Sequence, residues 1–358
     1  MDKVRKSNLE LFRIITMLAI VAHHYVVCSD LWDTINLNGA MSIKNIFLLL
    51  FGAWGKTGIN CFVLITGYFM CTANIKASKF LKLVMEIYFY NIVISFLLLI
   101  TGNSILSFRK IYEIFFPFNS IETNFVGCYL IFYLFIPYLN KLIKVMNEKE
   151  HRILLILLLM VYTIFPSILY SSVKFNYTTW FMVVYLLASY IRLYPKTWFQ
   201  SKKIWGIISF FSILLSVISI IIMFYLDRDR YFYVADCNKI FALTTSVGVF
   251  MFFKNLNIKN SVFINTISAS TFGVLLIHAN SMDMHHWVWD LVLKNALYYD
   301  SKFIYVHAIG SVMIVFAVCS VIDIIRIRFI EKPFLHQLEK YGWYQKILLL
   351  DLHKGRKT

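Results

Sequence analysis

Arg13 and His24 lie eleven residues apart inside the first apolar run of the chain, Leu11 to Cys28. A charged side chain at mid-bilayer costs a few kcal/mol even on lenient insertion scales, so such residues read first as functional. At about 100° per residue, eleven positions return to within roughly 20° of the same helix face, about 16 Å further along the axis. One stripe of one helix therefore presents a permanent cation and, three turns on, an imidazole able to move protons near neutral pH. Glu10, one turn before Arg13, pairs with it at i,i+3 and aims the guanidinium along that face. His23 falls roughly 80° off the stripe.

A second constellation is GKTGINCFVLITGYFM, Gly55 to Met70, a glycine-punctuated apolar segment with Thr66-Gly67-Tyr68 near its end. GAWGKT is not a P-loop, because the pattern needs a glycine at position 50, which is Leu50. Glycines in such a segment let helices approach closely. His278, Asp283, His285 and His286 cluster beyond a later apolar run, but their spacing fits no closed tetrahedral set, so no metal is expected. Cys28, Cys61, Cys71, Cys128, Cys237 and Cys319 show no CxxC spacing and read as small apolar packing residues.

Composition dictates the elements that must hold these groups. Of 358 residues, 59% are hydrophobic and 15% charged. Apolar runs of about 17–25 residues recur, the signature of helical spans. The chain reads as an all-α, polytopic membrane protein of about ten transmembrane helices. These fall near 9–28, 57–71, 83–101, 124–143, 153–170, 178–194, 204–226, 239–253, 262–279 and 303–327, with outer segments at 29–56, 102–123 and 280–302. Arg13 and the histidine pair break the first run, so it reads as a retained span, not a cleaved signal. With both termini in the cytoplasm, most of the 35 Lys and Arg residues lie inside, as the positive-inside rule requires. The net charge of +16 is then topology, not a nucleic-acid footprint. Residues 334–358 read as an amphipathic, basic tail at the cytoplasmic interface.

Given these features, the chain resembles the acyltransferase family 3 membrane proteins over residues 1–333. In that family the first span carries Arg or Lys, ten residues, then His, matched by Arg13 and His24. The second ends in a Phe-rich Ser-Gly-Tyr motif, matched by Phe62 to Tyr68 with Thr66 for Ser. A following basic RxxR pair is represented by Lys79 and Lys82. Ser270 to His278 resembles a Ser-Thr-x-Gly-Val-x-Leu-Ile-His element, and Glu331-Lys332-Pro333 the closing Glu-Arg/Lys-Pro motif. Asn124 stands where exopolysaccharide-type relatives tend to carry Trp.

The resemblance implies an enzyme of the plasma membrane that moves an acyl group, commonly acetyl, from cytoplasmic acyl-CoA to an extracytoplasmic glycan or its lipid-linked precursor. Acetyl-CoA is then the co-substrate, with no bound cofactor and no nucleic-acid partner. His24 and Arg13 would carry the reaction. Arg13, Glu10, Lys79 and Lys82 would meet the donor's phosphates. Thr66, Tyr68, His278 and Glu331 would belong to the acceptor cavity or to structural motifs. A hydroxyl is a poor nucleophile at neutral pH, and an adjacent imidazole removes its proton as attack proceeds. A covalent acyl-histidine is the variant route, and direct transfer is preferred. The rival classes are a transporter or flippase, which leaves the thioester intact, and a polysaccharide polymerase, which needs no CoA.

The charge distribution generates a topology test. Reporters fused after Lys82, Lys149, Lys203 or Lys340 should read cytoplasm, and those after Lys110, Lys174 or Asp229 the exterior. Two or more inversions would overturn the ten-span arrangement.

Overall fold

The computed structural model describes residues 6–341 apart from 40, 74–76, 117–123, 170, 172 and 175. Every regular element among these residues is a helix. Seven helical stretches are long and apolar enough to cross a membrane: Ser7–Val27, Ile43–Met70, Ala77–Ile100, Phe125–Val145, Glu148–Ile168, Lys202–Tyr225 and Ile304–Leu338. An eighth is gained if Val262–His278 and Met282–Tyr298, bent by 99° at their joint, are counted as one. Helices also stand at the two remaining expected places, but they are shorter. Tyr177–Leu193 has 17 residues and Ile240–Lys254 has 15. Of the expected tail, the helix Lys332–Tyr341 is seen, and 342–358 lie outside the described residues.

The outer segments are less loop-like than the sequence suggests. Leu31–Asn38 and Ile43–Gly52 are helices, and the second runs on into Gly55–Met70 as one 28-residue apolar stretch. Its apolar run is only about ten residues and ends in Gly52, too short to read as a span. Phe108–Phe115 and Met282–His285 add helical pieces to the other two segments.

The first helix, Ser7–Val27, packs against Ile43–Gly52, Gly55–Met70, Val262–Ala269 and Ile304–Arg326. Gly58 sets how closely the second of these approaches, since a Cβ there would lie 2.7 Å from Ile20 Cγ1. At its start, Asn8 Nδ2 lies 3.0 Å from the carbonyl oxygens of both Phe253 and Lys254 and 3.1 Å from that of Leu256. The last carbonyls of a helix have no partner within it, so this amide helps close the end of Ile240–Lys254.

The Lys202–Tyr225 helix shows which surface meets lipid. Ile207, Phe210, Phe211, Leu215 and Ile222 are exposed, whereas Ser209, Ser212 and Ser216 are buried. Ser216 Oγ lies 3.2 Å from Thr245 Oγ1 on Ile240–Lys254. Lipid supplies no hydrophobic drive between helices, so close packing of small residues and hydrogen bonds must join them.

A buried ion cluster ties the chain's later part to the Ala77–Ile100 helix. Arg326 places Nε 2.7 Å from Asp323 Oδ1, Nη1 2.9 Å from Glu331 Oε2 and Nη2 2.9 Å from Glu86 Oε1. Tyr90 donates to the same Asp323 oxygen at 2.8 Å, and Lys82 Nζ stands 2.7 Å from Glu331 Oε1. The Arg326 side chain is 2% exposed and that of Lys82 40%. Removing one partner of a buried ion pair leaves an uncompensated charge and costs about 3–5 kcal/mol. Arg326→Met should therefore sharply lower the melting temperature and yield of detergent-extracted protein, and Lys82→Met should do so far less. An unchanged melting temperature in Arg326→Met would remove the cluster from the account of stability.

Candidate active site

The bend between Val262–His278 and Met282–Tyr298 turns the chain back over the end of the first helix. Beneath it lies a cavity of about 1120 Å³ whose wall includes His23, His24, Lys56, Asn91, Tyr177 and His285. The starts of the helices Gly55–Met70 and Tyr177–Leu193 complete it, with the segment around Phe108–Phe115 above.

His24 is held by a second histidine. Its Nδ1 lies 2.9 Å from His278 Nε2, and His278 Nδ1 lies 2.6 Å from the carbonyl oxygen of Val274. A carbonyl only accepts, so His278 Nδ1 carries its hydrogen; with that ring neutral, its Nε2 accepts in turn. His24 Nδ1 must then be the donor, which leaves a lone pair on His24 Nε2. The tautomer follows from the hydrogen-bond chain, not from observed hydrogens. Chemically, this is a base whose orientation is fixed from behind.

His23 is closer to the site than its 80° offset suggests. Its Nδ1 donates to the carbonyl of Gly52 at 2.6 Å, and its ring fills the space that a Cβ on Gly55 would take, 2.3 Å from His23 Cγ. The cavity wraps around this flank of the first helix, so His23 lines it as well. His285 sits with its ring centroid 5.0 Å from that of His24, and neither of its ring nitrogens has a hydrogen-bond partner among the described residues.

The other residues singled out from sequence lie elsewhere. Arg13 Nη1 stands 3.5 Å from Glu10 Oε2 with its side chain 31% exposed, and Ser268 Oγ donates to the same Glu10 oxygen at 2.5 Å. Neither Arg13 nor Glu10 lines the cavity. Thr66 Oγ1 donates to the Phe62 carbonyl at 2.9 Å and lies 3.0 Å from the Tyr129 hydroxyl. Tyr68 OH accepts from Arg192 Nη1 at 3.0 Å. Lys82 and Glu331 belong to the Arg326 cluster, and Lys79 is exposed. Asn124 caps the Phe125–Val145 helix, accepting from Val126 N at 2.9 Å.

Two groups escaped the sequence reading. Lys56 and Tyr177 meet in the cavity wall, with Nζ 2.5 Å from the phenol oxygen. Asp283, grouped in the sequence only with nearby histidines, accepts from both Lys110 Nζ and Ser104 Oγ at 2.7 Å. Glu86, Asp323 and Arg326 were also passed over, although ionisable residues inside apolar runs were signal enough.

The comparisons agree with this architecture. The family model of the acyltransferase 3 domain matches residues 6–324. No curated protein and no solved structure matches the chain. The match spans most of the apolar helices and both His24 and His278: the chain belongs to the acyltransferase 3 family and is a multi-pass membrane acyltransferase.

Proposed function

We propose that the protein is an O-acetyltransferase of the plasma membrane. It takes the acetyl group of acetyl-CoA from the cytoplasm and esterifies a hydroxyl of a cell-surface polysaccharide or its lipid-linked precursor. The observation that carries this reading is the free Nε2 of His24 beside a cavity of about 1120 Å³, with Nδ1 tied to His278. In this arrangement the helices make ten spans, with both termini in the cytoplasm and the cavity on the outer side. A volume of this size admits a sugar unit with room for the reacting acyl group.

The donor enters from the other end of the first helix. Arg13, steadied by Glu10, faces the CoA phosphates together with Lys79 and Lys82, the last shared with Glu331. The roughly 16 Å from Arg13 to His24 along the axis is spanned by the pantetheine arm. The acceptor hydroxyl gives its proton to His24 Nε2 while its oxygen attacks the thioester carbonyl. The tetrahedral intermediate collapses, the carbon–sulfur bond breaks, and the CoA thiolate takes the proton from the imidazolium. His278 acts as a positioning residue by fixing the tautomer. Thr66 and Tyr68, bonded to Tyr129 and Arg192, serve as structural supports.

Purified protein in lipid vesicles, given labelled acetyl-CoA and the surface glycan, is the direct test. Loss of a general base typically costs about 100- to 10,000-fold. His24→Ala should fall by that amount in acetyl transfer while accumulating and melting as the native protein does. His278→Ala should lower kcat less and leave the acetyl-CoA KM unchanged, whereas Arg13→Ala should raise that KM. Normal transfer by His24→Ala, or intact thioester with the native protein, would sink the reading and favour a carrier.

A further inference from the structure

The sequence spacing hid a donor set that the bend assembles. His24, Cys28 and His285 each offer one ligand atom, and these atoms all lie within 4.8 Å of one another. His24 and Cys28 are four residues apart at the end of the first helix, on one face. His285 comes from the far side of the 99° bend, which is why no linear motif announces the group. We propose that these three side chains form a binding site for a zinc ion that shuts the acyl-transfer site when occupied.

Three observations support the site. The Nδ1 of His24 is committed to His278, leaving Nε2 as its only ligand atom. Such a hydrogen bond on the far nitrogen orients metal-binding histidines in general. His285 has both ring nitrogens without a partner among the described residues, an unfavourable state for a polar group screened from water. Cys28 is a free thiol and, unlike the other five cysteines, is not fully buried.

The chemistry of the set selects the ion. Two imidazoles and a thiolate suit zinc and exclude magnesium and calcium, which take oxygen ligands. With zinc–nitrogen and zinc–sulfur bonds of about 2.0–2.3 Å, tetrahedral donors stand roughly 3.4–3.6 Å apart, so donors that lie within 4.8 Å of one another need draw in by about 1.4 Å at most. The Cys28 thiol loses its proton to solvent on binding, and the thiolate lowers the site's charge from +2 to +1. That matters because the ammonium of Lys56 shares the cavity. The fourth position stays open to water or to an acceptor oxygen. Zinc on His24 Nε2 occupies the lone pair that receives the hydroxyl proton. This inhibition rests on the proposed role of His24; the binding itself does not.

Metal-stripped protein in detergent should bind one zinc per chain in competition with a chromophoric chelator, unaffected by excess magnesium. Cys28→Ser and His285→Ala should each weaken binding at least tenfold, and Cys319→Ser should leave it unchanged. Cobalt in place of zinc should show a thiolate-to-cobalt charge-transfer band that Cys28→Ser abolishes. Equal zinc affinity in native, Cys28→Ser and His285→Ala proteins, or a cobalt spectrum without the thiolate band, would overturn the site whatever the activity does. Transfer by the native protein should be lost at zinc concentrations that leave Cys28→Ser active. Tight zinc binding with undiminished transfer would instead sustain the metal site and defeat the role given to His24.

Discussion

A single guanidinium draws the Ala77–Ile100 helix, the Ile304–Arg326 helix and the turn that follows it into one body. Arg326 uses three nitrogens on three carboxylates, and all four side chains are almost wholly withdrawn from solvent. A buried ionic network of this kind gives little net stability over an apolar replacement, but breaking it from one side is expensive. Its position matters as much as its energy. Asp323 stands so close to Gly273 that a Cβ there would lie 2.1 Å from the carboxyl carbon. Gly273 belongs to the short helix that ends in His278. The seat of His278, and through it the orientation of His24, thus rests on a charge cluster that touches neither.

The first helix and Val262–His278 are joined by side-chain bonds near both ends. Ser268 meets Glu10 at one, and His278 meets His24 at the other. Sequence numbers rise together along the two contacts, so the helices run parallel. The proposed donor cation and the proposed base are held by the same neighbour, and a shift of that neighbour would be felt at both.

Much of this was legible in the chain. Apolar runs located the helices because a lipid-facing helix must be apolar over its length. The Arg13 and His24 pair was visible because few residues are so costly in a span. The pairing of His24 with His278 was not, since it depends on a contact across 254 positions. The Ile43–Gly52 helix was hidden by its shortness. His23 shows where periodicity misleads: an angular offset says which way a side chain leaves its helix, not which neighbours fold over it. Lys82 was read as a contact for the donor's phosphates, and its engagement with Glu331 is set by a segment nearly 250 residues further on.

The 15-residue helix Ile240–Lys254 has a consequence for the membrane itself. At 1.5 Å per residue it is about 22 Å long, well short of a hydrocarbon layer of about 30 Å. It tolerates this because protein covers much of it, with Thr244 the one exposed residue along its length. Lipid never has to match its length. Along this helix the two faces of the protein stand only about 22 Å apart. A flexible arm reaching across from one side travels a shorter distance than the membrane's thickness implies.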